Sequence, residues 1–167
     1  MRTTPLAVTA LAAALLLTAC GSNGGDDGDK NKADAGCTLG VDVAASAAPA
    51  AGDTGNVTVT VTNRDAKCVL NGFPAVDLLA GGDSKAVPAD KSAKPQKLTL
   101  AKDATASFTI TYTRGGTGGK QSLPVKTAKF TLPGATAGHS FKWSYGEVAL
   151  QGDTPNASVT PFTQASD

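Results

Sequence analysis

Three cysteines, one histidine and one glutamate are the side chains in this 167-residue chain best equipped for nucleophilic, metal-binding or acid–base chemistry. Cys20, Cys37 and Cys68 lie far apart, and with His139 as the lone imidazole they are too few for most His/Cys metal sites. His139 follows Gly138 in a run of small residues that reads as a turn, and no G-x-S-x-G pattern supplies a nucleophile to pair with it. A general-acid and general-base pair would have to be assembled from scattered turn aspartates and Glu147. Residues 114–120, RGGTGGK, have the composition of a phosphate-binding loop. Yet Arg114 stands where that geometry needs Gly, Gln121 where it needs Ser or Thr, and Pro124 blocks the helix that must follow, so a flexible hairpin loop is expected. Asp27, Asp29 and Asn31 match the first three ligand positions of an EF-hand loop, whereas Lys32 replaces its Gly and Thr38 its bidentate Glu. No catalytic residue, cofactor or metal is assigned on these grounds.

Binding is better served than catalysis. Fifteen basic against fourteen acidic residues leave a net charge of +1, which gives no long-range field for holding DNA or RNA. Phe141, Trp143 and Tyr145 alternate with Lys142 and Ser144, so a strand there points three rings to one side, into a core or outward as a platform for sugar rings. Phe73 belongs to Asn71-Gly72-Phe73-Pro74, a tight turn in which Gly permits positive φ and Pro fixes the exit. Its ring closes the edge of a core or meets a ligand. Phe73, Trp143 and Tyr145 are therefore the residues named for ligand contact. Lys85, Lys91, Lys94, Lys97 and Lys102 outnumber Asp83, Asp90 and Asp103 in their stretch. On one shared face they would suit an anionic polymer or lipid headgroups, and otherwise they are a solvated surface.

The elements that must position these residues begin after residue 36. Residues 6–17 are an apolar run broken only by Thr9 and preceded by Arg2, too short to span a bilayer but suited to a cleaved export signal over residues 1–19. Leu17, Thr18, Ala19 and Cys20 then resemble the lipobox of bacterial lipoproteins, which implies a diacylglycerol thioether on Cys20 and a membrane partner held through that anchor. Each buried CH₂ of such chains contributes about 0.8 kcal/mol. Within residues 20–36, the stretch GSNGGDDGDKNKADAG carries no apolar side chain larger than Ala and reads as a disordered tether with a reach of roughly 20 to 24 Å.

Residues 37–167 read as one domain. Val57, Val59 and Val61 alternate with Thr58, Thr60 and Thr62, and Ala106, Phe108, Ile110 and Tyr112 alternate with Ser and Thr across residues 105–113. Shorter candidate strands cover residues 38–43, 69–70, 76–79, 96–100, 128–132, 141–145, 147–150 and 158–162, separated by Gly-, Asn- and Asp-rich turns. One Glu, one Met, three Arg and four Gln stand against 21 Thr and 19 Gly, so the pattern predicts an all-β fold, an antiparallel β-sandwich, with a closed barrel as the alternative. In an exported chain Cys37 and Cys68 are expected to form a disulfide rather than a reactive thiol pair.

The domain also resembles the actinobacterial family of secreted proteins and lipoproteins known as domain of unknown function 4232. The resemblance rests on Cys37, the strand ending Val61-Thr62-Asn63, and then Cys68, Leu70, Asn71, Gly72, Phe73, Pro74 and Val76. It extends more loosely to Leu98, Ala106, Phe130, Pro133-Gly134 and Pro161-Phe162, and spans residues 37–163. Members often carry a second Cys pair in the later half, which this chain lacks. The resemblance implies an immunoglobulin-like sandwich and leaves molecular activity open. The expectation is a lipid-anchored protein on the extracytoplasmic face of the cell membrane, a monomeric binding or adaptor module for an envelope protein or polymer. A structural spacer is the alternative, and a cell-envelope hydrolase a distant third.

Overall fold

The structure, a computed structural model, describes residues 37–164. The expected signal (1–19), Cys20 and the linker (20–36) lie outside the described residues, within which the fold has strands and no helix. In chain order these are β1 (Leu39–Ser46), β2 (Thr54–Asn63), β3 (Lys67–Asn71), β4 (Ala75–Ala80) and β5 (Asp83–Ala86). There follow β6 (Lys97–Ala101), β7 (Thr105–Thr113), β8 (Ser122–Leu123), β9 (Thr127–Thr131) and β10 (Gly138–Lys142). The last are β11 (Val148–Gln151), β12 (Thr154–Pro155), β13 (Ala157–Val159) and β14 (Thr163–Gln164).

The sheets are antiparallel. A five-stranded sheet runs β1-β2-β7-β13, with β14 also on β7, and a four-stranded sheet runs β10-β9-β4-β5. Smaller sheets join β12-β11-β8 and β3-β6. No pairing among the described residues closes them into a barrel. The Val/Thr alternation works as its period demands: Val57, Val59 and Val61 are fully buried, and their partners across the ladder are Ile110, Phe108 and Ala106. Thr58, Thr60 and Thr62 fall on the other face opposite Thr109, Ser107 and Thr105. Val76, Leu78, Ala128 and Phe130 form the buried face of β4 and β9. Phe108 on β7 meets Phe130 on β9 edge-on at 5.2 Å, and Phe162 at 5.3 Å, so the two large sheets share one core. Each fully buried side chain of this size contributes roughly 1.5 to 3 kcal/mol.

Two fastenings hold the end of the domain where β1 begins. Cys37 and Cys68 are joined by a disulfide, tying the start of β1 to β3. Asn63, fully buried at the end of β2, donates from Nδ2 to the carbonyls of Asp65, Leu100 and Ala101, each at 3.0 Å, and accepts the Asp65 N–H on Oδ1. It therefore bolts the β2–β3 turn to the β6–β7 turn, satisfying carbonyls that neither strand could satisfy alone.

The structure departs from the expected elements in three places. The aromatic trio does not lie on one strand: β10 ends at Lys142, and Trp143 and Tyr145 occupy the loop beyond it, which bends on through Gly146 at φ +92°. His139, expected in a turn, is inside β10 and its ring stacks on Phe130 at 5.1 Å. No strand is expected at β5, whose residues DSKA carry no apolar alternation. It forms as an edge strand through main-chain pairing with β4.

Candidate functional site

The residues named for ligand contact separate to opposite ends of the four-stranded sheet. Phe73 lies two residues ahead of Ala75, which pairs with Thr131 and through it with Gly138. Trp143 follows Lys142, at the end where Lys142 pairs with Thr127 and Thr127 with Leu79. A five-residue strand of roughly 13 Å stands between them. Phe73 is half-buried and packs against the core beside the bend at Gly72 (φ +107°), whose carbonyl accepts the Phe162 N–H at 3.4 Å.

At the other end three rings lock a loop. Trp143 is only 3% exposed and meets Tyr112 and Tyr145 edge-on, each at 5.0 Å, so the trio presents no flat platform. The indole Nε1–H donates to the Gly146 carbonyl at 2.8 Å. The Tyr112 hydroxyl donates to the Tyr145 carbonyl at 2.7 Å and accepts the Ala48 N–H at 3.2 Å. Both polar ring tips are thus spent on backbone, which fixes residues 143–146.

Arg114 lies against this loop. Its Nη1 donates to the carbonyls of Ala48 and Pro49, both at 2.8 Å. Its Nε sits 2.8 Å from where a Cβ on Gly146 would project, so only glycine leaves room for the guanidinium there. The RGGTGGK segment is a loop, held to residue Glu147 at two points: Gly115 N–H donates to its carbonyl at 2.8 Å and Gly118 N–H to its Oε1 at 3.0 Å. Between the two loops opens a cleft of about 300 Å³ lined by Arg114, Lys126, Lys142, Glu147, Val125 and Trp143, together with Thr117, Pro124, Ser144 and Gly146. Three cations thus face one carboxylate over an apolar floor. A second, smaller recess of about 200 Å³, with Thr111, Tyr112, Asn156 and Ser158 in its wall, has no charged side chain around it.

The lysine series does not act as a group. Lys85 is half-buried and lies 3.8 Å from Asp153, while Lys91, Lys94, Lys97 and Lys102 are exposed on the connector, on β6 and on the turn after it. Asp90, in that connector, accepts the Ser92 hydroxyl at 2.7 Å and its N–H at 2.8 Å. These donors hold its carboxyl below the usual range. Because the folded value is the lower one, this contribution is present above the unfolded pKa and fades as pH falls through the folded one. Among the described residues no three His, Cys, Asp or Glu side chains are grouped to hold a metal ion.

In the sequence Trp143, Arg114 and Glu147 stand out one at a time, and no motif marks Lys126 and Lys142 as their partners. A signal was available: Lys142 adjoins Trp143, and Lys126 is two residues past Pro124, so both cations flank segments already singled out.

Fold and site together define a class: an all-β antiparallel domain stapled by a disulfide, with a cation-lined cleft at one end. The chain belongs to the family described as Domain of unknown function (DUF4232), whose sequence model matches residues 30–163. No curated protein and no solved structure matches it.

Proposed function

We propose that this chain is a lipid-anchored binding module of the cell envelope, built on an immunoglobulin-like sandwich and held outside the cytoplasm through Cys20. The anchor reading is supported by the apolar run at residues 6–17 and the sequence Leu17-Thr18-Ala19-Cys20. The sandwich reading is supported by two antiparallel sheets whose inner faces meet at Phe108 and Phe130. The observation that carries the binding role is the preformed cleft between residues 114–120 and 143–147, whose walls are fastened by backbone hydrogen bonds before any ligand arrives.

Cys20→Ala should move the protein from the membrane fraction to the soluble extracytoplasmic fraction. Retention at the membrane would defeat the anchor. The binding role is tested by placing a photo-crosslinking residue in intact cells at Thr117, on the cleft, and separately at Ser84, on β5. Capture of a defined partner from position 117 and not from 84 is the expected result. Equal capture from both, or none, would favour the second reading, a spacer. One observation supports that second reading: all eight aromatic rings are buried or half-buried, so no exposed aromatic face advertises a partner.

A further inference from the structure

We infer that the cleft takes an organic anion: a carboxylate or similar oxyanion head carried on a small apolar body. The inference rests on the binding role proposed above and specifies its ligand class. Residues 37–164 contain twelve basic and nine acidic side chains, and the cleft alone holds three of the former and one of the latter. Its positive charge is not spent internally. The ion pairs among the described residues join Arg64 to Asp103 and Lys85 to Asp153, and neither involves Arg114, Lys126 or Lys142. Glu147, the carboxylate nearest to hand, is turned to the Gly118 N–H instead.

Arg114 is the centre of the site. Its Nη1 is occupied by two carbonyls, which fixes the plane of the guanidinium; Nε packs against Gly146, and Nη2 is left for another acceptor. A guanidinium immobilised in this way offers a charged N–H of fixed direction, which a carboxylate or phosphate oxygen accepts as a charge-assisted hydrogen bond. Lys126 and Lys142 are exposed and add point charges that follow a ligand rather than shape it. Exposed Pro124 supplies apolar surface beside the charges, together with the small exposed edges of Val125 and Trp143. A bare inorganic ion would leave that surface unused, whereas an aliphatic carboxylate covers it. The volume is at the low end for small-molecule sites, which limits the occupant to a group the size of one chain terminus or one acyl amino acid.

The test is titration of the full chain with N-acetylalanine, its neutral amide, and inorganic phosphate, followed through the Trp143 fluorescence, since Trp143 is the single tryptophan. The carboxylate should bind at millimolar concentrations, the amide should not, and phosphate should bind more weakly than the carboxylate. Lys126→Gln with Lys142→Gln should weaken the carboxylate about tenfold, with a loss of salt dependence and an unchanged unfolding midpoint. Binding of the amide as tightly as the acid, or of phosphate as tightly as the carboxylate, would overturn the ligand class. So would no carboxylate response from a folded chain. If crosslinking at Thr117 still captures its partner undiminished in the double lysine variant, the anion inference fails while the binding role survives. Loss of capture in the unsubstituted chain fails the binding role itself.

Discussion

Asn63→Asp is expected to destabilise the domain by about 4 kcal/mol, enough to remove much of the stability a domain of this size possesses. The native amide gives three carbonyls a donor from one nitrogen and takes an N–H on its oxygen, in a place with no solvent exposure. A carboxylate of the same shape keeps the accepted N–H from Asp65 and turns its other oxygen toward the carbonyls of Asp65, Leu100 and Ala101. Donors become repulsions, and the charge is buried without a cation partner. Asn63→Ala should cost less, about 3 kcal/mol, because it abandons the same carbonyls without adding charge. Chemical denaturation at pH 7 ranks the two. The deficit of the Asp variant should shrink as pH falls, since protonation removes the charge and restores one donor. A loss below about 1 kcal/mol for the Asp variant would mean that water replaces the amide easily, and that the bolt between the two turns is not a structural determinant.

Breaking the disulfide should have the next largest effect. Cys37 and Cys68 enclose a sequence separation of 31, and a loop of that length contributes about 3.5 kcal/mol in the chain-entropy account. Reduction, or Cys37→Ser together with Cys68→Ala, should lower the thermal midpoint by roughly 10 to 20 °C and raise the dependence on denaturant slightly, as a freer unfolded chain exposes more surface. Cys68 is fully buried, so Ala is the gentler replacement there. The oxidised and reduced forms of the unsubstituted chain supply the cleaner comparison, because only the crosslink differs. Coincident unfolding curves would show that β1 is held by its ladder to β2 alone.

The strands that the sequence announced are those whose alternation decides burial. The strand expected over residues 105–113 is β7 to the residue, because Ala106, Phe108, Ile110 and Tyr112 all enter the core. Val57, Val59 and Val61 behave the same way. β5 carries no such signal because its edge pairing depends on main-chain groups that every residue carries, and the alternation over residues 141–145 does not show that β10 ends at Lys142. Asn63 was legible only as part of a turn. Its partners Leu100 and Ala101 lie 37 and 38 residues away, a distance at which local pattern carries no information. The cleft was hidden for the same reason: Arg114, Lys126, Lys142 and Glu147 are separated in the chain and converge because Tyr112 and Trp143 fold two loops together.

The crosslink between Cys37 and Cys68 also decides how the domain bears tension. A pull arriving along the chain from the amino-terminal side crosses the sulfurs to β3 and bypasses the residues enclosed between them. The enclosed segment contains all of β1 and β2, including the eight paired positions that run from Leu39 opposite Asn63 to Ser46 opposite Asn56. Without the bond, those pairs lie in the geometry of a zipper and would open one after another from Leu39. With it they carry no load, and the chain forfeits about 100 Å of extension that the enclosed residues would otherwise release. A domain held by its first residue is thereby gripped at β3, and β1, at the edge of the five-stranded sheet, is spared the work of holding on.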